Sequence, residues 1–158
     1  MIELEQAEPI SESPAEEWYL SFRLEGWDYA VPIAGVREII RLREITPLPH
    51  ARSYVRGLIS FRGTAVPVID LRLRLSLPEA AYTDKTCIII LDSDGCEAGF
   101  IVDSIQDAVT MESVELPDLL AVLADTPRCK FVRTVGCSNG TVTMVLDTGR
   151  VFGAVDEK

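Results

Sequence analysis

Hydrophobic and polar residues alternate with a period of two along most of the chain after Leu20. Leu20, Phe22 and Leu24 are separated by polar residues, which is typical of a strand with one buried face. The segment Thr86–Leu91 is apolar enough to be buried on both faces. The pattern predicts about ten short strands, namely Leu20–Leu24, Trp27–Val31, Val36–Leu42, Val55–Phe61, Thr64–Ile69, Thr86–Leu91, Ala98–Val102, Ile105–Met111, Phe131–Val135 and Thr141–Leu146.

Glycine-containing turns and prolines divide these strands into groups. Many short strands with regular turn signals predict barrels or a sandwich. A single ten-stranded barrel remains open, but Pro47, Pro49 and the loop 78–84 interrupt the strand runs and favour two small barrels. The hairpin signals are Gly26, Arg62-Gly63, Asp94-Gly95 and Ser138-Asn139-Gly140.

Two segments are candidates for short helices. In Asp70–Leu77, four leucines alternate with polar residues, which favours a strand by periodicity alone. However, Asp70 is a good N-cap, and leucine, arginine and serine tolerate a helix. In Leu116–Leu123, leucines recur at helical spacing next to a proline, which predicts a short helix.

The charge is unevenly distributed along the chain. The formal net charge is −10, and residues 1–17 contain six glutamates and no basic residue. We expect residues 1–15 to be an acidic, disordered leader before a folded domain spanning residues 16–155. Because no basic stripe is present, nucleic acid and anionic membrane are not expected partners. Neither a secretory signal nor a membrane-spanning run is recognisable, so a cytoplasmic location is expected.

The four cysteines are not spaced as metal ligands or as a redox pair. In a reducing cytosol they are expected to be free thiols, and two of them, Cys87 and Cys129, are expected to be buried. The other two are Cys96 and Cys137.

Residues suited to catalysis are also few. The one histidine, His50, lies beside a proline and is expected to be a solvated loop residue. Asp92–Gly95 lacks the remaining ligands of a calcium loop, and Gly136–Gly140 is a turn. Asp103 and Asp107 could be paired carboxylates, but a solvated face or a turn cap is favoured. The sequence therefore predicts an interaction module without catalytic residues, metal or cofactor.

Several motifs, in the correct order, resemble those of the CheW family of chemotaxis coupling proteins. The central motif, Tyr54–Arg72, contains Arg62-Gly63 and the run Asp70-Leu71-Arg72, and the resemblance extends over about residues 17–153. The other matching segments are Tyr29–Ile33, Val36–Ile40, Ile45–Pro49, Gly99–Ile105 and Val145–Asp147.

The resemblance implies an all-β fold of two SH3-like, five-stranded barrels packed together, with one or two short helices. It also implies that Leu71–Leu75 is helical, against the periodicity. The implied function is a scaffold that binds the regulatory domain of a CheA-type histidine kinase and the cytoplasmic hairpin tip of methyl-accepting chemoreceptors, with no direct membrane insertion.

The resemblance also implies which residues contact each partner. Arg62 is expected to bind the receptor through its guanidinium, although it could instead be a solvated turn residue, and Glu38 is expected to orient it through an ion pair. The implied receptor contacts are Arg62, Glu38, Val36, Ile33 and Ile105, and the implied kinase contacts are Arg56, Gly57 and Ile39. For the aliphatic receptor contacts Val36, Ile33 and Ile105, ordinary core packing is the alternative.

The chain departs from the family pattern in segment 112–130 and in its acidic leader. The short tail after Val151–Gly153 leaves little room for a terminal helix. Two other functions stay open: a small-molecule-binding barrel or hydrolase, which would need an apolar pocket with converging polar groups, and a specialised coupling protein of a surface-sensing or pilus pathway.

Overall fold

The computed structural model describes residues 17–93, 95–114, 130–138 and 140–156. Within these ranges the chain is mainly β, with two α-helices and a 3-10 turn at Ile33–Gly35. The elements are β1 (Trp18–Leu24), β2 (Trp27–Pro32), β3 (Val36–Arg41), β4 (Val55–Phe61), β5 (Thr64–Asp70), α1 (Leu71–Arg74), β6 (Cys87–Ser93), β7 (Cys96–Val102), β8 (Ser104–Thr110), β9 (Glu112–Val114), β10 (Val132–Ser138), β11 (Thr141–Leu146) and α2 (Thr148–Asp156).

The strands form two sheets. The first sheet has the order β9-β10-β11-β2-β1-β8, and the second has the order β3-β6-β7-β5-β4. Most neighbours are antiparallel, while β11 pairs with β2 and β5 pairs with β7 in parallel. The prediction of a mainly β protein with two β units is confirmed. The first sheet has six strands rather than five because the short β9, which the sequence analysis missed, pairs with β10.

Four pairs of consecutive strands are connected by short hairpin connections at the predicted positions. In the β1–β2 and β4–β5 hairpins both turn residues have positive φ, at +54° and +78° for Glu25 and Gly26 and at +53° and +80° for Arg62 and Gly63. This conformation matches the right-handed twist of the paired strands. The β6–β7 and β10–β11 hairpins also place a glycine of positive φ in the turn.

The largest hydrophobic cluster lies between the two sheets rather than inside either one. Phe22 and Tyr29 from the first sheet stack with ring centroids 6.2 Å apart, and Phe100 from the second sheet contacts Phe152 of α2 at 5.6 Å. Burial of each such side chain contributes about 1.5–3 kcal/mol. Alternate residues of β6 face a second cluster within the second sheet, so this strand is buried on both faces as predicted.

The helices give one confirmed prediction and one correction. Leu71–Arg74 is helical, as the family resemblance implied and the periodicity did not. The expectation that little room exists for a terminal helix is wrong, because Thr148–Asp156 forms α2 and buries Val151 and Phe152 against the core between the sheets. The helix predicted over Leu116–Leu123 lies outside the described residues, as do Cys129 and the whole predicted leader, residues 1–15.

Candidate functional site

Arg62 lies in the two-residue turn between β4 and β5, with its side chain 72% exposed. Its guanidinium carbon lies 5.1 Å from the centroid of the Phe61 ring, which supports it from below. One guanidinium nitrogen pairs with the carboxylate of Glu38 on β3. The structure therefore brings together the two charged residues that the sequence analysis paired.

The Arg62–Glu38 ion pair joins the two opposite edges of the second sheet. The outer strands β3 and β4 are not paired with each other as a ladder. Between them, Arg43 donates to the Ser60 carbonyl at 3.0 Å, and Thr46 and Leu58 form an isolated bridge. The line where β3 faces β4, here called the seam, is thus closed by side chains and one bridge. The described part of the second sheet therefore curves like a barrel, but the expected closure by a continuous ladder of backbone hydrogen bonds is not formed there.

An open groove of about 630 Å³ lies beside this seam. Residues of the segment after β3 form one side, and the β4–β5 hairpin forms the other. The lining contains aliphatic, hydroxyl and carboxylate groups, which suits a mixed polar and apolar contact with another protein. The lining residues are Glu44, Thr46, Leu58, Ile59, Ser60, Gly63, Thr64 and Ala65.

The aliphatic residues of the expected receptor site lie around the junction of the two sheets. Val36 and Ile105 are half-buried and pack against the core between the sheets, one from each sheet. Ile33 is exposed in the 3-10 turn that connects the sheets. Core packing therefore explains part of the burial of Val36 and Ile105, while Ile33 has no such role.

Arg56, expected in the kinase site, takes part in an intramolecular network. Its guanidinium donates to Glu79 Oε2 at 2.6 Å, to the Tyr82 hydroxyl at 3.0 Å and to Asp70 Oδ2 at 3.4 Å. The bond to Glu79 raises the pKa of Arg56 above its ordinary value. These contacts fasten the loop 78–84 to β4 and β5, a role that the sequence analysis missed because the partners lie 14 to 26 residues apart.

Gly57 permits a close backbone approach, as expected, but by the same chain. Its φ is +147°, and a Cβ atom built there would lie 2.0 Å from the Thr46 carbonyl oxygen. Thr46 and Leu58 exchange backbone hydrogen bonds of 2.9 and 2.8 Å directly beside it. Gly57 is therefore required for the bridge between Thr46 and β4. Ile39, the third expected kinase contact, is exposed on β3.

Asp103 caps a turn instead of forming a catalytic pair with Asp107. It accepts hydrogen bonds from the Glu25 amide at 2.9 Å and from two nitrogens of Arg72 at 2.9 and 2.7 Å. Burial acts to raise its pKa, but the bonds from Arg72 and Glu25 outweigh burial and hold the pKa below the ordinary value. Asp107 is exposed on β8.

The remaining candidates for chemistry lie apart from one another. His50 is exposed in the loop after β3 with a φ of +64°, as expected for a loop residue. Cys87 is half-buried rather than buried, and burial raises the pKa of its thiol. No group of histidine, cysteine and acidic residues in the described ranges is arranged to hold a metal ion. The described helices include none that is long and apolar enough to cross a membrane.

Comparison with known proteins agrees with this architecture. The family model for the CheW-like domain matches residues 18–156. A chemotaxis protein CheW from Rhizobium meliloti is 30% identical over 84% of this chain and 85% of its own length. A chemotaxis protein CheW from Bacillus subtilis is 39% identical over 63% of this chain, and the match covers 64% of that protein.

A solved structure has the same fold. It is the crystal structure of the scaffolding protein TtCheW from Thermoanaerobacter tengcongensis, which superposes with a TM-score of 0.71 at 23% identity. The superposition covers 84% of this chain and 89% of the other. Family model, relatives and fold agree over the region described above, and the chain belongs to the CheW-like family, whose members named here are chemotaxis proteins.

Proposed function

We propose that this chain is a non-catalytic adaptor that couples methyl-accepting chemoreceptors to a CheA-type histidine kinase. The observation that carries the proposal is the contrast between filled interiors and exposed contact residues. The clusters within and between the sheets are occupied by apolar side chains, whereas Arg62, Ile33 and Ile39 stay exposed. Such a surface suits protein binding rather than enclosure of a substrate.

The receptor contact is proposed at the junction of the sheets and the seam of the second sheet. An α-helical hairpin presents apolar residues at i, i+3 and i+4, which need an apolar groove. Ile33, Val36 and Ile105 supply aliphatic surface, and Arg62 supplies a guanidinium for a carboxylate or a helix carbonyl. Glu38 holds Arg62 in place, so the donor is oriented before the receptor binds.

The kinase contact is proposed on the outer face of β3 around Ile39, whose side chain is exposed. A domain of similar fold can present a matching apolar face to this surface. Arg56 and Gly57 support this surface indirectly, because Arg56 fastens the loop 78–84 and Gly57 lets Thr46 bridge to β4. Coupling then follows when the adaptor contacts one activity state of the kinase more favourably than another.

A reconstitution tests the proposal. The chain is combined with a chemoreceptor cytoplasmic fragment and a CheA-type kinase from the same organism, and autophosphorylation of the kinase is measured with and without the chain. We expect control by the receptor only when the chain is present. Receptor control that is identical without it would refute the adaptor function. Running the assay with receptors of flagellar and of pilus or surface-sensing pathways identifies the pathway.

A further inference from the structure

Four basic side chains and two aromatic rings surround an open pocket of about 520 Å³. It lies where α1, α2, the start of β10 and the segment before β4 meet. Such a concentration of positive charge is local, because the whole chain carries a net charge of −10. The lining residues are Arg52, Tyr54, Arg74, Lys130, Phe131, Arg150 and Gly153.

The aromatic rings position two of the cations. The guanidinium carbon of Arg74 lies 4.4 Å from the centroid of the Tyr54 ring and 4.2 Å from that of Phe131. The Lys130 ammonium lies 5.4 Å from the Phe131 centroid. Arg74 also donates to the Val151 and Arg150 carbonyls at 3.5 and 3.4 Å. These contacts hold the Arg74 and Lys130 side chains in place at the wall of the pocket.

Among the described residues, no carboxylate fully balances the charges of Arg150 and Lys130. Arg150 donates to the Lys130 carbonyl at 3.0 Å, and a carbonyl orients a guanidinium while leaving its charge in place. Asp147 Oδ2 lies 3.7 Å from Arg150 Nε, and both side chains are partly exposed, so solvent screens this ion pair. Within the described ranges, the Lys130 ammonium contacts no carboxylate. The pocket therefore favours an anionic ligand.

The sheet register brings the N-terminal segment to the same end of the molecule. Tyr19 on β1 lies opposite Pro32 on β2, and β11 runs parallel to β2 with Val145 opposite Ala30. The Asp147 amide, just after β11, donates to the Phe131 carbonyl at 2.8 Å. The beginning of β1 therefore lies three strand positions from Phe131, which is about 14 Å at the usual strand spacing.

We propose that this pocket is a carboxylate-binding site and that its occupant is the acidic segment 1–16 of the same chain. That segment contains five glutamates and no basic residue, and it enters β1 beside Glu17, which is held by the Tyr19 hydroxyl. Five extended residues span about 16 Å, so the glutamates from Glu12 backwards reach the pocket. Binding of the segment at this pocket does not depend on the adaptor function.

A peptide-binding experiment with full-length protein tests the proposal. In one variant the five leader glutamates, Glu3, Glu5, Glu8, Glu12 and Glu16, are changed to glutamine, which empties the pocket if it is occupied in cis. A fluorescein-labelled peptide of residues 1–16 is titrated with this variant, and its anisotropy is measured. We expect saturable binding that weakens about tenfold or more between 20 and 300 mM NaCl, because the attraction is screened by salt.

Further variants locate the binding and distinguish its source. Adding Lys130→Glu and Arg150→Glu to the leader variant should weaken binding of the peptide about tenfold or more. The matched control is the charge reversal Lys85→Glu, at an exposed lysine outside the pocket lining, which should leave the peptide affinity within about twofold. The chain with its natural leader should bind the added peptide at least about fivefold more weakly, because the site is already filled. Thermal unfolding checks the fold, and Lys130→Gln with Arg150→Gln replaces any charge reversal that unfolds.

Each other result would overturn the proposal. Absence of binding to the glutamine variant excludes the leader as the ligand. Equal binding by a peptide with glutamine in place of glutamate excludes carboxylate recognition. An unchanged affinity in the Lys130 and Arg150 variants places the peptide elsewhere. Full competition by 10 mM inorganic phosphate at constant ionic strength identifies a general anion site instead.

Discussion

The hydroxyl of Tyr82 donates a hydrogen bond of 2.8 Å to Oδ2 of Asp70, a residue that is only 2% exposed. The other carboxylate oxygen of Asp70 accepts the amides of Arg72 at 3.0 Å and Leu73 at 3.4 Å. One buried carboxylate thus caps the first turn of α1 and fastens the loop 78–84. This arrangement makes the end of β5 a fixed point for both the helix and the loop.

Replacing Tyr82 with phenylalanine tests this link. The change removes one hydroxyl and leaves the ring, so we expect a loss of about 1 kcal/mol in the free energy of unfolding at pH 7. Burial and the bond to Asp70 raise the pKa of Tyr82 to about 12. Because the folded state resists ionisation, this contribution is present below pH 10 and is lost as the pH rises towards 12.

Urea unfolding of the wild type and Tyr82→Phe at a series of pH values measures both effects. The difference in stability between the two proteins should be constant below about pH 9 and shrink above pH 10. A difference that grew with pH would contradict the assignment of the raised pKa to this hydroxyl.

Ten of the eleven strands in the described ranges were predictable, because each has an alternating or mainly apolar pattern that does not depend on distant residues; the short β9 was missed. The helix α1 was not predictable from periodicity, since its leucines alternate as in a strand. The family resemblance decided for a helix, and the N-cap Asp70 is the local signal that agrees with it. The helix α2 was missed because Gly149 and Gly153 weaken the helical signal. Asp147 nevertheless caps this helix, since its backbone oxygen and one side-chain oxygen both accept from the Arg150 amide.

The candidate site was only partly predictable for a similar reason. Arg62 and Glu38 were paired in advance through the family resemblance, and the structure places them in contact. The role of Arg56 depends on a loop that returns to it from residues 79–82, and no local pattern encodes such a contact. Likewise, the main core lies between the sheets because of tertiary packing, which strand periodicity does not specify.

A pair of glycine-to-alanine changes tests the close approach of Gly57 to Thr46. A Cβ atom there would collide with the Thr46 carbonyl, so Gly57→Ala should destabilise the fold by about 3 kcal/mol or more. Gly63, with φ at +80° and open space around it, is the matched control and should cost about 1 kcal/mol. Thermal unfolding compares the two, and equal costs would contradict the proposed contact with Thr46.

Replacing Arg62 tests the proposed receptor contact without disturbing the fold. Arg62→Gly stabilises the fold by relieving a positive φ and destabilises it by removing an exposed ion pair. Because the two effects oppose each other, the free energy of unfolding should change by less than about 1 kcal/mol. Affinity for a receptor hairpin should fall by about 1–3 kcal/mol, roughly 5- to 150-fold, in calorimetry. The control is Lys85→Ala, which should bind as the wild type does. Wild-type affinity in Arg62→Gly would remove Arg62 from the site.

The ion pair of Asp103 with Arg72 predicts a dependence of stability on acid. The lowered pKa of Asp103 means that its contribution is present above about pH 4, the unfolded-state value, and is lost as the pH falls through the folded-state pKa. Asp103→Asn should lose about 1–3 kcal/mol at pH 7 and show a weaker decline in stability below pH 4.

The matched control for this change is Asp107→Asn on β8, the strand that follows Asp103, where the carboxylate is exposed. It should change the free energy of unfolding by less than about 0.5 kcal/mol at any pH. Equal behaviour of the two asparagine variants in denaturant titrations at pH 3, 5 and 7 would show that Arg72 does not hold Asp103.

Two exposed isoleucines separate the proposed receptor and kinase surfaces. Ile33, in the turn between the sheets, and Ile39, on the edge strand β3, are 37% and 39% exposed, so each serves as the control for the other. A charge at the centre of an apolar contact must lose its hydration, which weakens binding. Ile33→Asp should therefore weaken receptor binding at least about tenfold and leave kinase binding within about twofold. Ile39→Asp should weaken kinase binding by the same factor and leave receptor binding within about twofold. Calorimetry with each isolated partner measures the four affinities. Either substitution could instead weaken the binding of both partners equally while the thermal unfolding temperature is unchanged. That result would mean that the two surfaces overlap and that the adaptor does not hold receptor and kinase through separate contacts.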